Sequence, residues 1–259
     1  MVAMVEQMQL AVVIAAGLAF GSFSCVCICR LPRARSIVWP RSACPGCHKN
    51  LIWFDNVPVI SYLLLGGKCR SCRKKISLLY PSVELTISLL FLFQYWYLGW
   101  QSLLLVRLAF ACAMVILCVI DWQERVLPNV ITLPGIAFGL GSSAFLDPGF
   151  LDSFIGCVTG AFLLLSVRSG YYAFRREHGL GMGDVKMLAM IGAFLGWQPV
   201  LLVLFVAAVG GSVIGVCLMI TGTVGSRYPL PFGSFLAVSA LVVSIAGEGV
   251  LDWYLSWYL

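Results

Sequence analysis

The sequence predicts an all-α polytopic membrane protein of about eight transmembrane helices, with one small extramembrane loop domain between the first two. Three observations carry that expectation. Of the 259 residues 61% are hydrophobic and only 11% charged, and the mean hydropathy is +0.96, a balance that excludes a water-soluble globule built around one core. Apolar runs near twenty residues long recur between Gly, Pro or charged breaks. The basic residues are concentrated: ten of the 17 Lys and Arg fall between Arg30 and Lys75, with Asp55 the only acid among them.

The runs lie at about 10–29, 80–97, 101–121, 129–146, 153–173, 184–197, 198–221 and 230–250, the sixth being short. The first lacks a basic leader and runs straight into the basic loop, so it reads as a retained span and not a cleaved signal. The positive-inside rule puts the 30–79 loop in the cytoplasm. Alternation then leaves Glu6, Asp147, Asp152, Glu248 and Asp252 outside, and Arg125, Arg168, Arg175, Arg176 and Arg227 inside. The net charge of +6 is accounted for by this topology and by anionic lipid, so no nucleic-acid partner is inferred. Three parts follow: 1–29 as the first helix, 30–79 as the loop domain, and 80–259 as a seven-helix membrane domain.

Four of the 11 cysteines form two CxxC pairs in the loop, Cys44-Pro-Gly-Cys47 and Cys69-Arg-Ser-Cys72, with 21 residues between them. Two such knuckles can surround Zn(II) with four thiolates. A closed thiolate shell leaves no position for water, so this zinc would be structural and would fold a loop too small for its own core. Pro45, Gly46 and Gly67 supply turns, and His48 is a bystander. Cys25, Cys27 and Cys29 read as small packing residues of the first span.

Two acids stand at apolar run ends. Asp121 closes the run Ala109–Ile120, and Asp184 lies in Gly181-Met182-Gly183-Asp184-Val185-Lys186. The threading gives both the same side and depth. An isolated interfacial Asp is ordinarily an anion facing headgroups, but two at one depth, with glycines that let a backbone approach, point to chemistry. Two carboxylates held close cannot both ionise cheaply, so one keeps a proton while the other acts as base toward a shared water, which is aspartic peptide hydrolysis. Which carboxylate is the base stays open. Lys186 is expected to point to another helix face and reach the headgroups. Glu84, just inside the second span, is either a functional acid or a helix N-terminal anion.

These residues resemble the bifunctional type IV prepilin peptidases, the leader peptidase and N-methyltransferase enzymes of pilus and type II secretion systems. The likeness is carried by Gly21-Ser22-Phe23, the two CxxC pairs, Trp53-Phe54-Asp55-Asn56-Val57-Pro58, Tyr80-Pro81-Ser82-Val83-Glu84, Ile120-Asp121 with Leu127-Pro128, Gly181 to Lys186, and Pro231-Phe232-Gly233. It implies a bacterial inner-membrane protein with Asp121 and Asp184 as the peptidase pair at the cytoplasmic face. It implies cleavage of a prepilin or pseudopilin leader after a glycine, then methylation of the new amino terminus from S-adenosylmethionine, with the loop domain associated with the methyl transfer. There are three departures from the pattern: Ser24-Cys25 stand where Leu-Asn is expected, Asn129 where an Asp often follows Leu-Pro, and Ser234 where a Pro is usual.

Competing readings are a related preflagellin peptidase, against which the four-cysteine loop argues, and a non-enzymatic assembly or transport protein whose acids bind protons or cations. A zinc ribbon tethered to the membrane as a nucleic-acid binder is the weakest of them.

Overall fold

Each expected apolar run becomes a helix. The structure is a computed structural model that describes residues 2–44, 46–176, 180–222 and 230–255. Arg227 and Pro45 lie outside the described residues, as do the side chains of Glu248 and Asp252. The helices are α1 (Val2–Arg30), the one-turn α2 (Ile60–Leu64), α3 (Leu79–Leu98), α4 (Ser102–Glu124), α5 (Asn129–Ser143), α6 (Phe150–Arg175), α7 (Met182–Leu195), α8 (Trp197–Ile220) and α9 (Phe232–Leu255). Beyond helix, the described residues contain only two isolated β-bridges, Ala43 with Asn50 and Lys68 with Lys75. α1 starts several residues earlier than the apolar run at 10–29, because the preceding Met, Glu and Gln residues are good helix formers that hydropathy alone does not capture.

Among the described residues, four helices are long and apolar enough to cross a membrane: Met4–Arg33, Ser102–Glu124, Phe150–Arg175 and Trp197–Ile220. Their outward faces carry Leu105, Phe162, Phe205 and Val213, all exposed, an arrangement suited to hydrocarbon and not to water. The chain is a membrane protein. The other long helices are shorter or interrupted by polar groups. α5 and α7 have 15 and 14 residues, and α3 carries Glu84 and Gln94.

The chain divides into two compact units, Met1–Ile116 and Leu117–Leu259. In the first, α1 packs closely on α3 through two glycines one turn apart. A Cβ on Gly17 would lie 2.6 Å from Ser88 Cα, and one on Gly21 would lie 2.7 Å from Glu84 Cα. Ile87 and Phe91 fill the seam, and the Tyr95 hydroxyl donates to Gln9 Oε1 at 2.9 Å.

The second unit is built around α7, which packs against α5, α6, α8 and α9. Met187, Leu188, Met190, Ile191 and Ala193 are fully buried, so α7 is apolar on every side, as an enclosed helix must be. This is why the sixth run is short. Its contact with α6 is backbone on backbone: a Cβ on Gly192 would stand 2.2 Å from the Gly156 carbonyl oxygen, and one on Gly160 would stand 2.7 Å from that of Leu188. Gly192→Val is therefore expected to destabilise the protein by at least about 1–3 kcal/mol, the usual cost of overpacking. Thermal unfolding in detergent measures it. Gly141→Ala, whose Cβ meets nothing within 4 Å, is expected to leave the midpoint unchanged.

Candidate active site and metal centre

The second unit brings two carboxylates to the N-terminal ends of two helices. Asp121 lies in the last turn of α4 and is buried. Its Oδ2 accepts hydrogen bonds from the Ser234 backbone N–H at 2.7 Å and the Ser234 hydroxyl at 3.1 Å. That hydroxyl has one proton and also lies 3.0 Å from the Cys118 carbonyl oxygen, so it can serve either acceptor. Ser234 is in the first turn of α9, where backbone N–H groups lack intrahelical partners and carry the positive end of the helix dipole. A buried anion there is compensated by the fold.

Asp184 occupies the corresponding place on α7. It is the third residue of the helix and half-buried, and its Oδ2 accepts the N–H of the N-cap residue Gly181 at 3.2 Å. Asp121 and Asp184 interact electrostatically. Leu127 explains how they come together. A Cβ on Gly183 would lie 2.9 Å from Leu127 Cβ, and one on Gly233 would lie 3.0 Å both from Leu127 Cδ1 and from the Asp121 carboxyl carbon. The two helix starts thus close onto one leucine and one carboxylate, and a larger residue at either glycine would force its neighbours to shift.

Other expectations resolve individually. Lys186 does not reach outward: its Nζ donates to Asn129 Oδ1 at 2.8 Å, tying α7 to the first residue of α5. Arg168 of α6 donates to the Leu180 carbonyl, which holds the approach to α7. Cys25 and Cys27 are buried packing residues, and Cys29 Sγ sits 3.4 Å from the Tyr80 hydroxyl. Glu84 is buried in the second turn of α3, where Oε2 accepts the Val59 N–H at 2.8 Å. It does not serve as a first-turn anion of its own helix. The residue that sequence reasoning passed over is Ser234. The only signal was its departure from the usual proline, which has no N–H to give.

In the first unit, Cys44, Cys47, Cys69 and Cys72 place their sulfurs all within 4.8 Å of one another. The Cys44 and Cys72 sulfurs are 3.7 Å apart, and a tetrahedron with Zn–S bonds of about 2.3 Å has edges of about 3.8 Å. The knuckles are built alike. The Cys44 N–H donates to the Lys49 carbonyl at 3.0 Å and the His48 N–H to the Cys44 carbonyl at 2.9 Å; in the second, the Cys69 N–H donates to Lys74 at 2.9 Å and the Arg73 N–H to Cys69 at 3.0 Å. His48 and Arg73 both take positive φ, 56° and 58°, to close these turns. The backbone N–H groups of Gly46 and Cys47 push the Cys44 thiol down, toward the thiolate a metal requires. Arg70 braces the second knuckle, with Nε and Nη2 on Asp55 Oδ1 at 2.9 and 2.8 Å and its guanidinium over the Phe54 ring. The cluster fits a soft divalent metal.

Comparison with known proteins matches the same two regions. Residues 15–98 match the profile of the bacterial peptidase A24 N-terminal domain, and residues 108–216 match that of the type IV leader peptidase family. The chain is 34% identical over 223 residues to a prepilin leader peptidase/N-methyltransferase of Pseudomonas aeruginosa, covering 85% of this chain and 76% of the relative. A protein of the same name from Myxococcus xanthus is 40% identical over 222 residues, 82% of this chain and 64% of the relative. One from Bacillus subtilis is 32% identical over 242 residues, 92% and 95%. No solved structure matches the chain.

Replacing one ligand of the cluster tests the metal reading. Wild-type protein is expected to hold one equivalent of metal per chain by elemental analysis. Cys69→Ser is expected to hold close to none, and protease is then expected to cut the 42–77 segment before any helix, since structural metal binding is also folding energy.

Proposed function

The chain belongs to the type IV leader peptidase family, and from that premise we propose that it cleaves the basic leader of a prepilin or pseudopilin after a glycine and methylates the new amino terminus. The observation that carries the peptidase half is the meeting of Asp121 and Asp184 at the starts of α9 and α7.

Asp121 and Asp184 act as one unit. Two interacting carboxylates share a proton: one stays neutral, and the other draws a proton from a water lying between them. The water oxygen bonds to the scissile carbonyl carbon while the neutral carboxyl donates a hydrogen bond to the carbonyl oxygen. The C–N bond then breaks as a proton passes to the leaving amine, and the pair returns to its shared-proton state. Ser234 fixes the Asp121 rotamer, and Gly183 lets the start of α7 close onto Leu127. Lys186 holds α7 to α5 and has a positioning role.

Eight helices are assigned as spans of a bacterial inner membrane, with the 30–79 loop and both aspartates on the cytoplasmic side. The assignment is supported by the ten basic residues of that loop and by the presence of a helix at each of the eight apolar runs. Residues 30–79 form the zinc-folded domain associated with methyl transfer, and 80–259 the peptidase domain. The four sulfurs fit structural Zn(II). S-adenosylmethionine, when bound, supplies an electrophilic methyl group to the terminal amine. A transport role is less well supported, because every relative described above is named as a peptidase.

Leader cleavage in reconstituted membranes tests the pair. Asp121→Asn and Asp184→Asn are each expected to lower kcat by about a thousandfold while metal content and helicity stay at wild-type levels. Near wild-type cleavage by either folded variant would remove that residue from the mechanism.

A further inference from the structure

Asp121 and Asp184 stand in unequal surroundings, and the inequality bears on which of them carries the charge. Each faces the positive start of a helix, α9 for Asp121 and its own α7 for Asp184. Asp121 alone also sits in the last turn of its own helix, α4, where unpaired carbonyls oppose a negative charge. Helix dipoles by themselves therefore favour the charge on Asp184.

Ser234 reverses that preference. Its N–H lies 2.7 Å from Asp121 Oδ2, the distance of a charge-assisted hydrogen bond, whereas the Gly181 N–H lies 3.2 Å from Asp184 Oδ2. The same Ser234 N–H is 3.2 Å from the Pro231 carbonyl oxygen, so Asp121 is its nearer acceptor. An N–H can only donate. Oδ2 must therefore present a lone pair to it, which an ionised oxygen does far better than a carboxyl hydroxyl. The Ser234 hydroxyl, 3.1 Å from Oδ2, and the neighbouring Gly233 N–H face the same carboxylate.

The charged and titratable groups that face Asp121 among the described residues are Asp184 of α7 and, from its own stretch of chain, Cys118 and Arg125. Arg125 favours the charge on Asp121, less strongly than Ser234 does. The start of α9 contributes neutral donors only.

We propose that Ser234 assigns the roles within the pair: it holds Asp121 as the ionised general base and leaves the shared proton on Asp184. Ser234 touches no reacting atom and is a positioning residue. Asp121 takes a proton from the water, the water oxygen bonds to the scissile carbonyl carbon, and the protonated Asp184 donates a hydrogen bond to the carbonyl oxygen. The C–N bond then breaks, and the proton taken by Asp121 passes to the leaving amine. Asp121 is ionised again, and Asp184 has kept its proton throughout. The inference rests on the peptidase reading above and deepens it.

Leader cleavage against pH, measured with the full-length protein in reconstituted membranes, tests the assignment. Ser234→Pro removes the N–H and the hydroxyl together, at a first-turn position where proline is compatible with a helix. An ionised Asp121 without these donors is protonated at higher pH. The acidic limb of the kcat profile is therefore expected to move up by about one pH unit or more, with KM unchanged and the alkaline limb in place. Ser234→Ala keeps the N–H and is expected to move the same limb the same way by about half as much. A folded proline variant decides the matter, and the alanine variant decides it if the proline variant loses its helicity. A uniform loss of rate at every pH, or an unmoved acidic limb, would overturn the assignment. So would an upward move of the alkaline limb alone, which would place the proton on Asp121. If wild type cleaves no prepilin leader, the peptidase reading itself falls. If it cleaves and the deciding variant gives one of the contrary profiles, only the role of Ser234 falls.

Discussion

Two acids inside an apolar bundle are tolerable only where something compensates them, and here the compensation is the positive end of a helix, used twice. The Ser234 N–H at the start of α9 meets Asp121, and the N-cap N–H of Gly181 meets Asp184 at the start of α7. The rest of the second unit follows from this arrangement. α7 must be enclosed, so it is apolar all round and only 14 residues long. Its neighbours must approach closely, so they meet it at glycines such as Gly156 and Gly160. The two helix starts must converge, and Gly183 and Gly233 allow both to close on Leu127.

The first unit solves a different problem. A loop of this size buries too little apolar surface to hold a shape in water, and the four sulfurs supply a centre around which both knuckles fold. The matched hydrogen bonds at Cys44 and Cys69 orient the thiols of both knuckles toward one centre. Arg70 and Asp55 fasten the second knuckle to the segment that carries Val59, and Val59 in turn is fastened to Glu84 on α3. The cysteine loop is thereby linked to a helix seam ordered by glycine packing.

The sequence made the helices legible because hydrocarbon demands long apolar runs, and it made the four cysteines and the two aspartates legible because such residues are costly in those places without a role. Spacing alone placed Cys44, Cys47, Cys69 and Cys72 together. What could not be read were contacts between helices far apart in the chain. Lys186 turns to Asn129 instead of the headgroups because α5 begins beside α7, which no local pattern reveals. Ser234 looked like a mere departure from a motif, yet its backbone N–H donates to Asp121. The Val59 N–H reaches Glu84 from a γ-turn that no propensity favours.

The central claim is that Asp121 and Asp184 form one catalytic unit and not two independent contributors. A double-mutant cycle on leader cleavage, comparing Asp121→Asn, Asp184→Asn and the combined variant in reconstituted membranes, tests it most directly. If the pair shares one water and one proton, the combined variant will be no slower than the slower single variant. If the losses multiply, each carboxylate acts alone, and the shared-proton account is wrong.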